Sequence, residues 1–325
     1  MPSSRPCPRR HDRAVRRGRP ASGQVYRIGI LGLGATSDLV GPQPWSPSTN
    51  AFLRGLRELG YVYGEHFVTE PRGAEGKPEC FPGLAAEMVR LQVDVIVAPG
   101  GALPALKQAT STIPIVMAAA GDPVGSGYIR SLGHPGGNVT GLSLQAIETT
   151  GKRLEILKEV VPAAALVAVL WDGTSAAYWQ AAEVAARERR WTLLSLEIRN
   201  AGEIEGAFRA ATGARAAALL VFAAALLFPH ARRVAELAAK SRLPAMYELR
   251  PYVEAGGLIS YGADIIDIWR RAAVFVDRIL KGANPANLPV EQPSTFELVI
   301  NLKAAKSIGL TVPQSVLLRA DEVIQ

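Results

Sequence analysis

Residues 113–143 read IPIVMAAAGDPVGSGYIRSLGHPGGNVTGLS, and the pattern of this stretch decides the fold. A short apolar run, Ile115 to Ala120, predicts a buried strand that ends at Gly121-Asp122-Pro123. A glycine-rich turn then precedes a second, shorter strand, Val139 to Leu142. Two strand ends and two turns are therefore close together in the sequence. In an open parallel sheet ligands bind beyond the carboxyl ends of the strands, so we expect a binding site here.

The rest of the chain repeats one alternation. Short β-branched or apolar runs alternate with amphipathic helical patterns from Tyr26 onward, and the alternation restarts after a join near residues 141–148. This pattern predicts an α/β fold of two doubly wound Rossmann-like lobes, each with helices on both faces of a parallel sheet. Beyond residue 250 the alternation becomes irregular. A chain that crosses between the lobes again, near 250–260 and near 290, explains the irregularity and forms a hinge.

The positive charge is concentrated at the amino terminus. Residues 1–25 hold seven Arg and one Asp, a net of +6 out of +7 for the whole chain. This Pro-, Arg- and Ser-rich tail has no apolar run, which predicts disorder and gives no recognisable signal peptide. The nearly neutral remainder argues against binding of nucleic acid. No stretch reaches about 18 uninterrupted apolar residues, so no membrane span is expected.

Motifs for catalysis or cofactor binding are missing from the sequence. Gly32-x-Gly34 follows the first strand, but Ser37 stands where a dinucleotide fingerprint has its third glycine. A turn that meets a ligand through backbone amides is the better interpretation. The four histidines lack metal-ligand spacing, and there is neither a nucleophile elbow nor a phosphate loop. We therefore predict a binding protein that is not an enzyme and uses no cofactor or metal.

Several long segments resemble one protein family. They are residues 52–67, 84–101, 111–143, 151–162, 242–262 and 288–313, and the match covers nearly all of residues 26–325. The chain resembles the ABC-transporter substrate-binding protein family related to the tryptophan-binding TrpX proteins. The resemblance implies a type I periplasmic-binding-protein fold, whose two lobes, joined by three crossovers, close on a small ligand. It also implies a monomeric receptor in the periplasm that presents its ligand to an ABC permease.

The resemblance also divides the chain. The expected units are a disordered basic tail, residues 1–25; lobe 1, residues 26–142 plus 260–290; and lobe 2, residues 143–259 plus 291–325. Two alternatives stay open, a cytoplasmic ligand-sensing domain of a regulator and a Rossmann-type enzyme. The first would need a DNA-reading helix-turn-helix in addition to an Arg/Pro tail. The second would bind a nicotinamide cofactor.

Two departures from the family pattern bear on the ligand. Trp171-Asp172-Gly173 stands where related amino-acid binders often carry Asn-Pro after the strand. Ala224-Ala225-Leu226 stands where they often carry Asp-Pro-Leu. Loss of that acid removes a partner for a ligand ammonium. We therefore expect a carboxylate-bearing, partly apolar or aromatic ligand, rather than a zwitterionic amino acid.

Ten residues near predicted strand ends or near the hinge are the candidates for the ligand site. Backbone and hydroxyl donors among them would hold the anion, and tyrosines would hold the apolar part of the ligand. For Asp122 and Thr174, capping of the segment that follows is the alternative role. The candidates are Ala35 and Thr36 in the first loop, Gly100 and Gly101 before a helix, Asp122 after the fourth strand, Asp172 and Thr174 in the second lobe, and Tyr247, Glu248 and Tyr261 near the hinge.

Overall fold

The computed structural model describes residues 25–188, 190–224 and 226–325. The basic tail, apart from Val25, and Ala225 of the 224–226 segment lie outside the described residues. Within those ranges the chain forms two α/β lobes, and the predicted fold class is confirmed. No helix in the described part of the chain is both long and apolar enough to cross a membrane.

The first lobe is built on a sheet of five parallel strands. The strands are β1 (Tyr26–Gly32), β2 (Phe67–Gly73), β3 (Val95–Ala98), β4 (Ile115–Ala120) and β5 (Val139–Ser143). The helices between them are α1 (Pro47–Glu58), α2 (Phe81–Arg90) and α3 (Leu103–Ala109). The strand order is β2-β1-β3-β4-β5. Every residue of β3 and β5 is buried, because helices cover both faces of a parallel sheet.

The second lobe is built on a sheet of seven strands. The strands are β6 (Leu166–Asp172), β7 (Thr192–Ile198), β8 (Ala218–Val221), β9 (Ala245–Tyr247), β10 (Ile259–Ala263), β11 (Phe296–Asn301) and β12 (Glu322–Ile324). The remaining helices are α4 (Ala146–Val160), α5 (Ala176–Glu188), α6 (Ile204–Gly213), α7 (Ala231–Lys240), α8 (Arg250–Glu254), α9 (Ile265–Leu280), α10 (Leu302–Ser307) and α11 (Gln314–Leu317). The strand order is β12-β11-β10-β9-β8-β6-β7, and β11 runs antiparallel to β10.

Helix α9 returns the chain to the first lobe. It packs so closely on α1 that a Cβ added to Gly55 would overlap the backbone carbonyl of Arg270 and lie 2.9 Å from the Cβ of Ala273. The Tyr61 hydroxyl donates to Asp277 Oδ1 at 2.9 Å, which ties α9 to the loop after α1. Strand β10 pairs with β9 and β11, so residues 260–263 lie in the second sheet and not in lobe 1, where the sequence boundary had placed them.

Within the residues that the structure describes, the chain crosses between the two lobes three times. The crossovers connect β5 to α4, β10 to α9, and α9 to β11. Two of them are hydrogen-bonded side by side, because Glu291 N–H donates to the Gly141 carbonyl at 3.0 Å and Ser143 N–H donates to the Glu291 carbonyl at 2.9 Å. Arg271 of α9 forms an ion pair with the Glu291 side chain. These bonds hold the first and third crossovers together, so they are not independent linkers.

Candidate functional site

The end of β4 in the first lobe meets the start of α5 in the second lobe, and we call the region between the lobes at this point the interlobe cleft. Gly121 follows β4 in the first lobe, and Tyr178 lies in the first turn of α5 in the second lobe. A Cβ added to Gly121 would overlap the Tyr178 hydroxyl oxygen and lie 2.5 Å from Cζ of the ring. Tyr178 is 7% exposed, and its ring packs edge-on against Phe222, with centroids 5.6 Å apart. The lobes are therefore in contact at this point, and only glycine fits at position 121.

A bulge at the end of β4 shapes the contribution of the first lobe. The pairing with β5 shifts register between Ala118 and Ala120, and Ala119 has a φ of 70°. A positive φ is unfavourable for a residue with a side chain, and bulges turn a strand to aim the residues that follow. Here the residues that follow are Gly121 and Asp122. Asp122 Oδ1 accepts the Gly125 N–H at 2.8 Å, so this carboxylate caps its own turn.

The other candidate residues of the first lobe lie in two places, the loop after β1 and the turn after β3. Thr36 N–H donates to Glu75 Oε1 at 3.0 Å, and Thr36 Oγ1 accepts the Gly73 N–H at 2.8 Å. The Ala35-Thr36 loop is therefore hydrogen-bonded to the end of β2. The main-chain N–H and the side-chain oxygen of Thr36 each have a partner there. A Cβ added to Gly100 would lie 3.0 Å from the Ala120 Cα, so Gly100 sits beside the end of β4, and Gly101 next to it is exposed.

An ion pair is buried at the edge of the second lobe that faces the cleft. Arg153 of α4 and Glu248 after β9 both have side chains that are 1% exposed, and Arg153 Nη2 lies 3.7 Å from Glu248 Oε1. Arg153 Nε donates to the Tyr261 carbonyl at 2.8 Å, and Nη2 donates to Thr149 Oγ1 at 2.8 Å. Glu248 Oε2 accepts the Ala223 N–H at 2.9 Å. This pair joins α4 to the ends of β8, β9 and β10.

Asp172, at the end of β6, is the second buried carboxylate of this edge. Its Oδ1 accepts the Thr174 N–H at 2.9 Å and also the Thr174 hydroxyl, and its Oδ2 accepts the Leu226 N–H at 3.0 Å. Both oxygens therefore have partners. Asp172 is therefore the residue that caps this turn, and Thr174, which is exposed, donates to the cap and does not act as the cap itself. Among the described residues no group of three or more His, Cys, Asp or Glu side chains is placed to hold a metal ion.

The two predicted tyrosines occupy different environments. Tyr247 has no exposed surface, and its ring stacks on Tyr252 with centroids 5.1 Å apart. The Tyr247 ring also fills the space beside Gly257, where a Cβ would lie 2.5 Å from Cε2. Tyr247 is therefore a core residue and not the ligand contact that the sequence predicted, because the pairing of β9 turns it inward. Tyr261 is half-buried and stacks on Phe296, with centroids 6.0 Å apart.

The electrostatics of the site follow from this burial. Burial, and then the negative charge of Glu248, raise the pKa of the Tyr178 hydroxyl well above its ordinary value, while Arg153 opposes the shift. The hydroxyl is therefore kept protonated as a donor. Burial also lowers the pKa of the Arg153 guanidinium, and Glu248 opposes that shift. The charge of Asp122 in the first lobe also raises the pKa of Tyr178. Carboxylates of both lobes therefore contribute to the pKa of this tyrosine.

The sequence interpretation missed Arg153 and Tyr178 as site residues. Arg153 carries a recognisable signal, because it shares a helical face with Thr150 and Leu157, both buried. A charged residue on the buried face of a helix needs a partner. Tyr178 lies near a predicted strand end, as several other aromatic residues do, but nothing local distinguishes it from them, since its contact is with Gly121 in the other lobe.

The fold and the cleft have counterparts among known proteins. The sequence profile of a family described as ABC transporter substrate binding protein matches residues 46–324. The chain belongs to this family. The family is one of substrate-binding proteins and not of enzymes, and the predicted resemblance is confirmed. A family relative described as a tyrosine-binding protein of Clostridioides difficile (strain R20291) is 25% identical over 278 residues, which cover 84% of this chain and 80% of that protein.

Solved structures of similar proteins agree with this membership. An ABC domain in complex with L-Trp from Streptococcus pneumonia is 26% identical with a TM-score of 0.83, and the match covers 93% of this chain and 100% of that one. A conserved domain protein from Vibrio cholerae is 25% identical with a TM-score of 0.84, and the match covers 92% of this chain and 100% of that one. Both likenesses span the two lobes, so the substrate-binding family fold extends over the whole described body.

Proposed function

We propose that this chain is the solute receptor of an ABC importer. It captures a small ligand with a carboxylate and an apolar or aromatic part in the interlobe cleft. The observation that carries the proposal is the contact of Gly121 with Tyr178, since it joins the carboxyl edges of both sheets. A ligand that contacts both lobes only in the closed form shifts the hinge equilibrium towards closure. The closed form, a monomer in the periplasm, then docks on a membrane permease.

Two kinds of observation support this ligand class. The relatives described as tyrosine-binding and as bound to L-Trp support a compound with a carboxylate and an aromatic part. Tyr261, which is half-buried and stacks on Phe296, supplies aromatic surface at the edge of the second lobe. Aromatic rings of this kind pack on apolar parts of a ligand, while their hydroxyls hydrogen-bond to its polar parts.

Calorimetric titration combined with small-angle X-ray scattering tests the proposal. The panel contains tryptophan, tyrosine, phenylalanine and leucine, with the corresponding acids that lack the amino group. We expect at least one compound to bind and to reduce the radius of gyration of the protein. Binding of none of these carboxylates, or binding without compaction, contradicts the receptor function. Loss of uptake of the same labelled compound by cells that lack this chain tests the direction of transport.

A further inference from the structure

One edge of the second sheet is open. Strand β7 is the outermost strand at that side, and within the described residues it pairs with β6 alone. The main-chain N–H and C=O groups along its other side therefore lack a strand partner. An edge of this kind accepts a further strand unless the sequence protects it. Glu197 is the only charged residue of β7, and the strand has neither a proline nor a bulge against β6.

The three other sheet edges are protected. Strand β2 carries Pro71 between two charged residues, Glu70 and Arg72. Strand β5 is covered by the third crossover, whose main chain hydrogen-bonds to it at Glu291. Strand β12 has only three residues. In the described part of the chain, β7 is therefore the one long edge that is left open.

A groove of about 440 Å³ lies between this edge and helix α6. Residues 195–198 of β7 form one side of the groove, and Gly206, Ala207 and Ala210 of α6 form part of the other. Because these α6 side chains are small, the groove has room for the side chains of an added strand. None of the groove residues is a candidate ligand residue, so the groove is separate from the interlobe cleft.

A second copy of β7 fits this edge. Right-handed crossovers place α5 and α6 on opposite faces of the sheet, because the chain reverses its direction across the sheet at β7. Ser195 lies on the α5 face, since its Oγ accepts a hydrogen bond from Trp171, which stacks on Trp179 of that helix. Leu194 and Leu196 therefore lie on the α6 face. Antiparallel pairing about a two-fold axis at Ser195 keeps the faces matched and sets Leu194 against the partner's Leu196.

The charges of α6 are complementary under the same symmetry. Helix α6 runs back along β7, so the two copies of α6 also lie antiparallel across the axis. Gly206 is midway between Glu203 and Arg209, which places Glu203 of each copy opposite Arg209 of the other. Both side chains are exposed, and neither forms an ion pair with another described residue. The Glu203 carboxylate is held in position by Arg199 N–H and Asn200 Nδ2, each at 2.9 Å.

We propose that two copies of this chain associate reversibly through β7 and α6 as a symmetric pair. One strand edge and one helix face make a small interface, so the pair is weak and exchanges with the monomer that docks on a permease. The inference goes beyond the receptor function and does not depend on the ligand, because each copy keeps its own interlobe cleft.

Sedimentation equilibrium of the full chain tests the pairing over protein concentrations from about 1 μM to about 1 mM. The wild-type mass is expected to rise from 34.6 kDa towards twice this value and no further. Gly206→Leu places a large side chain between the two helices and should lower the association constant by about 30-fold or more. Leucine forms helices better than glycine, so the midpoint of thermal unfolding should not fall. A wild-type mass that stays at 34.6 kDa, or that rises past the dimer, overturns the inference.

Charge reversal tests the reciprocal contacts of α6. Arg209→Glu and Glu203→Arg each set like charges against each other, so each should lower the association constant by about tenfold or more. A mixture of these two variants restores both opposite-charge contacts and should associate more strongly than either variant alone. A mixture that associates no more strongly overturns the inference. Arg232→Glu, which reverses an exposed charge of α7 outside the groove, should leave the association unchanged, and an equal loss in this control also overturns it.

Discussion

Gly121→Ala tests whether the contact between the lobes is the closed state of the receptor. The added Cβ would overlap the Tyr178 hydroxyl and lie 2.5 Å from Cζ, whereas real Cβ atoms essentially never approach within 3.0 Å. The Tyr178 side chain is held from behind by Phe222, so it cannot withdraw easily. The two lobes must therefore move apart. Gly121 itself lies in a turn with ordinary φ, so the open form tolerates the substitution.

The size of the effect follows from the burial of Tyr178. This side chain is 7% exposed, and re-exposure of most of an aromatic ring costs about 2 kcal/mol. The closed form loses this contribution, and the affinity for ligand is expected to fall about 30-fold. Calorimetry with the best ligand of the wild-type protein measures the affinity, and X-ray scattering measures whether the ligand still compacts the protein. The midpoint of thermal unfolding of the unliganded protein should change little.

A second substitution shows whether the steric conflict is the cause. Tyr178→Ala added to Gly121→Ala removes the obstructing ring and should restore compaction on binding. Tyr178→Phe should restore little, because Cζ of the ring stays 2.5 Å from the new methyl group. If Gly121→Ala alone binds and closes like the wild-type protein, the contact is not part of the closed state and the argument from it is wrong.

Three further predictions concern single residues of the two lobes. Asp122→Ala should lower the free energy of unfolding by about 1 kcal/mol, because the hydrogen bond from Gly125 N–H is lost. Asp122→Asn keeps an acceptor oxygen and should leave this free energy unchanged, and urea titration measures both variants. Arg153→Met should cost about 3–5 kcal/mol because Glu248 is left buried without its counter-charge, and adding Glu248→Gln should recover part of that loss in the same titration. Burial, and then the charge of Glu248, raise the pKa of the Tyr252 hydroxyl well above its ordinary value. As the pH rises, this hydroxyl therefore loses its proton in the unfolded chain before it does so in the folded protein. Its contribution to stability is complete below about pH 10 and falls by about 1.4 kcal/mol per pH unit above it, and Tyr252→Phe should flatten this slope in urea titrations at stepped pH.

Most of the fold could be predicted from local periodicity. The strand predicted over Ile115–Ala120 is β4, with the same bounds, and the strand predicted over Val139–Leu142 is β5, Val139–Ser143. Hydrophobic spacing determines these elements because each buries one face or stripe of its own residues. The short helix α8 and the short strand β12 were not predicted, since elements of a few residues are stabilised by the body they pack on.

The candidate site was predicted less completely than the fold. Strand ends suggested Asp122 and Asp172 as candidates, because turns after parallel strands lie at one edge of a sheet, and nearness to the expected hinge suggested Glu248. The environment of each residue was not predictable in this way. Two carboxylates are fully or partly used as caps, and Tyr247 lies in the core.

The sequence by itself determined two α/β lobes, the family, and the sheet edges at which we propose the ligand site. Tertiary structure alone decided that Tyr178 meets Gly121 and that Arg153 faces Glu248. The physical reason is that periodicity reports on neighbours along the chain, whereas these contacts join residues from different elements or different lobes. The stretch 113–143 illustrates both kinds of information. Its strand ends are visible in the sequence, whereas glycine is required at 121 because the Tyr178 ring of the opposite lobe lies against it.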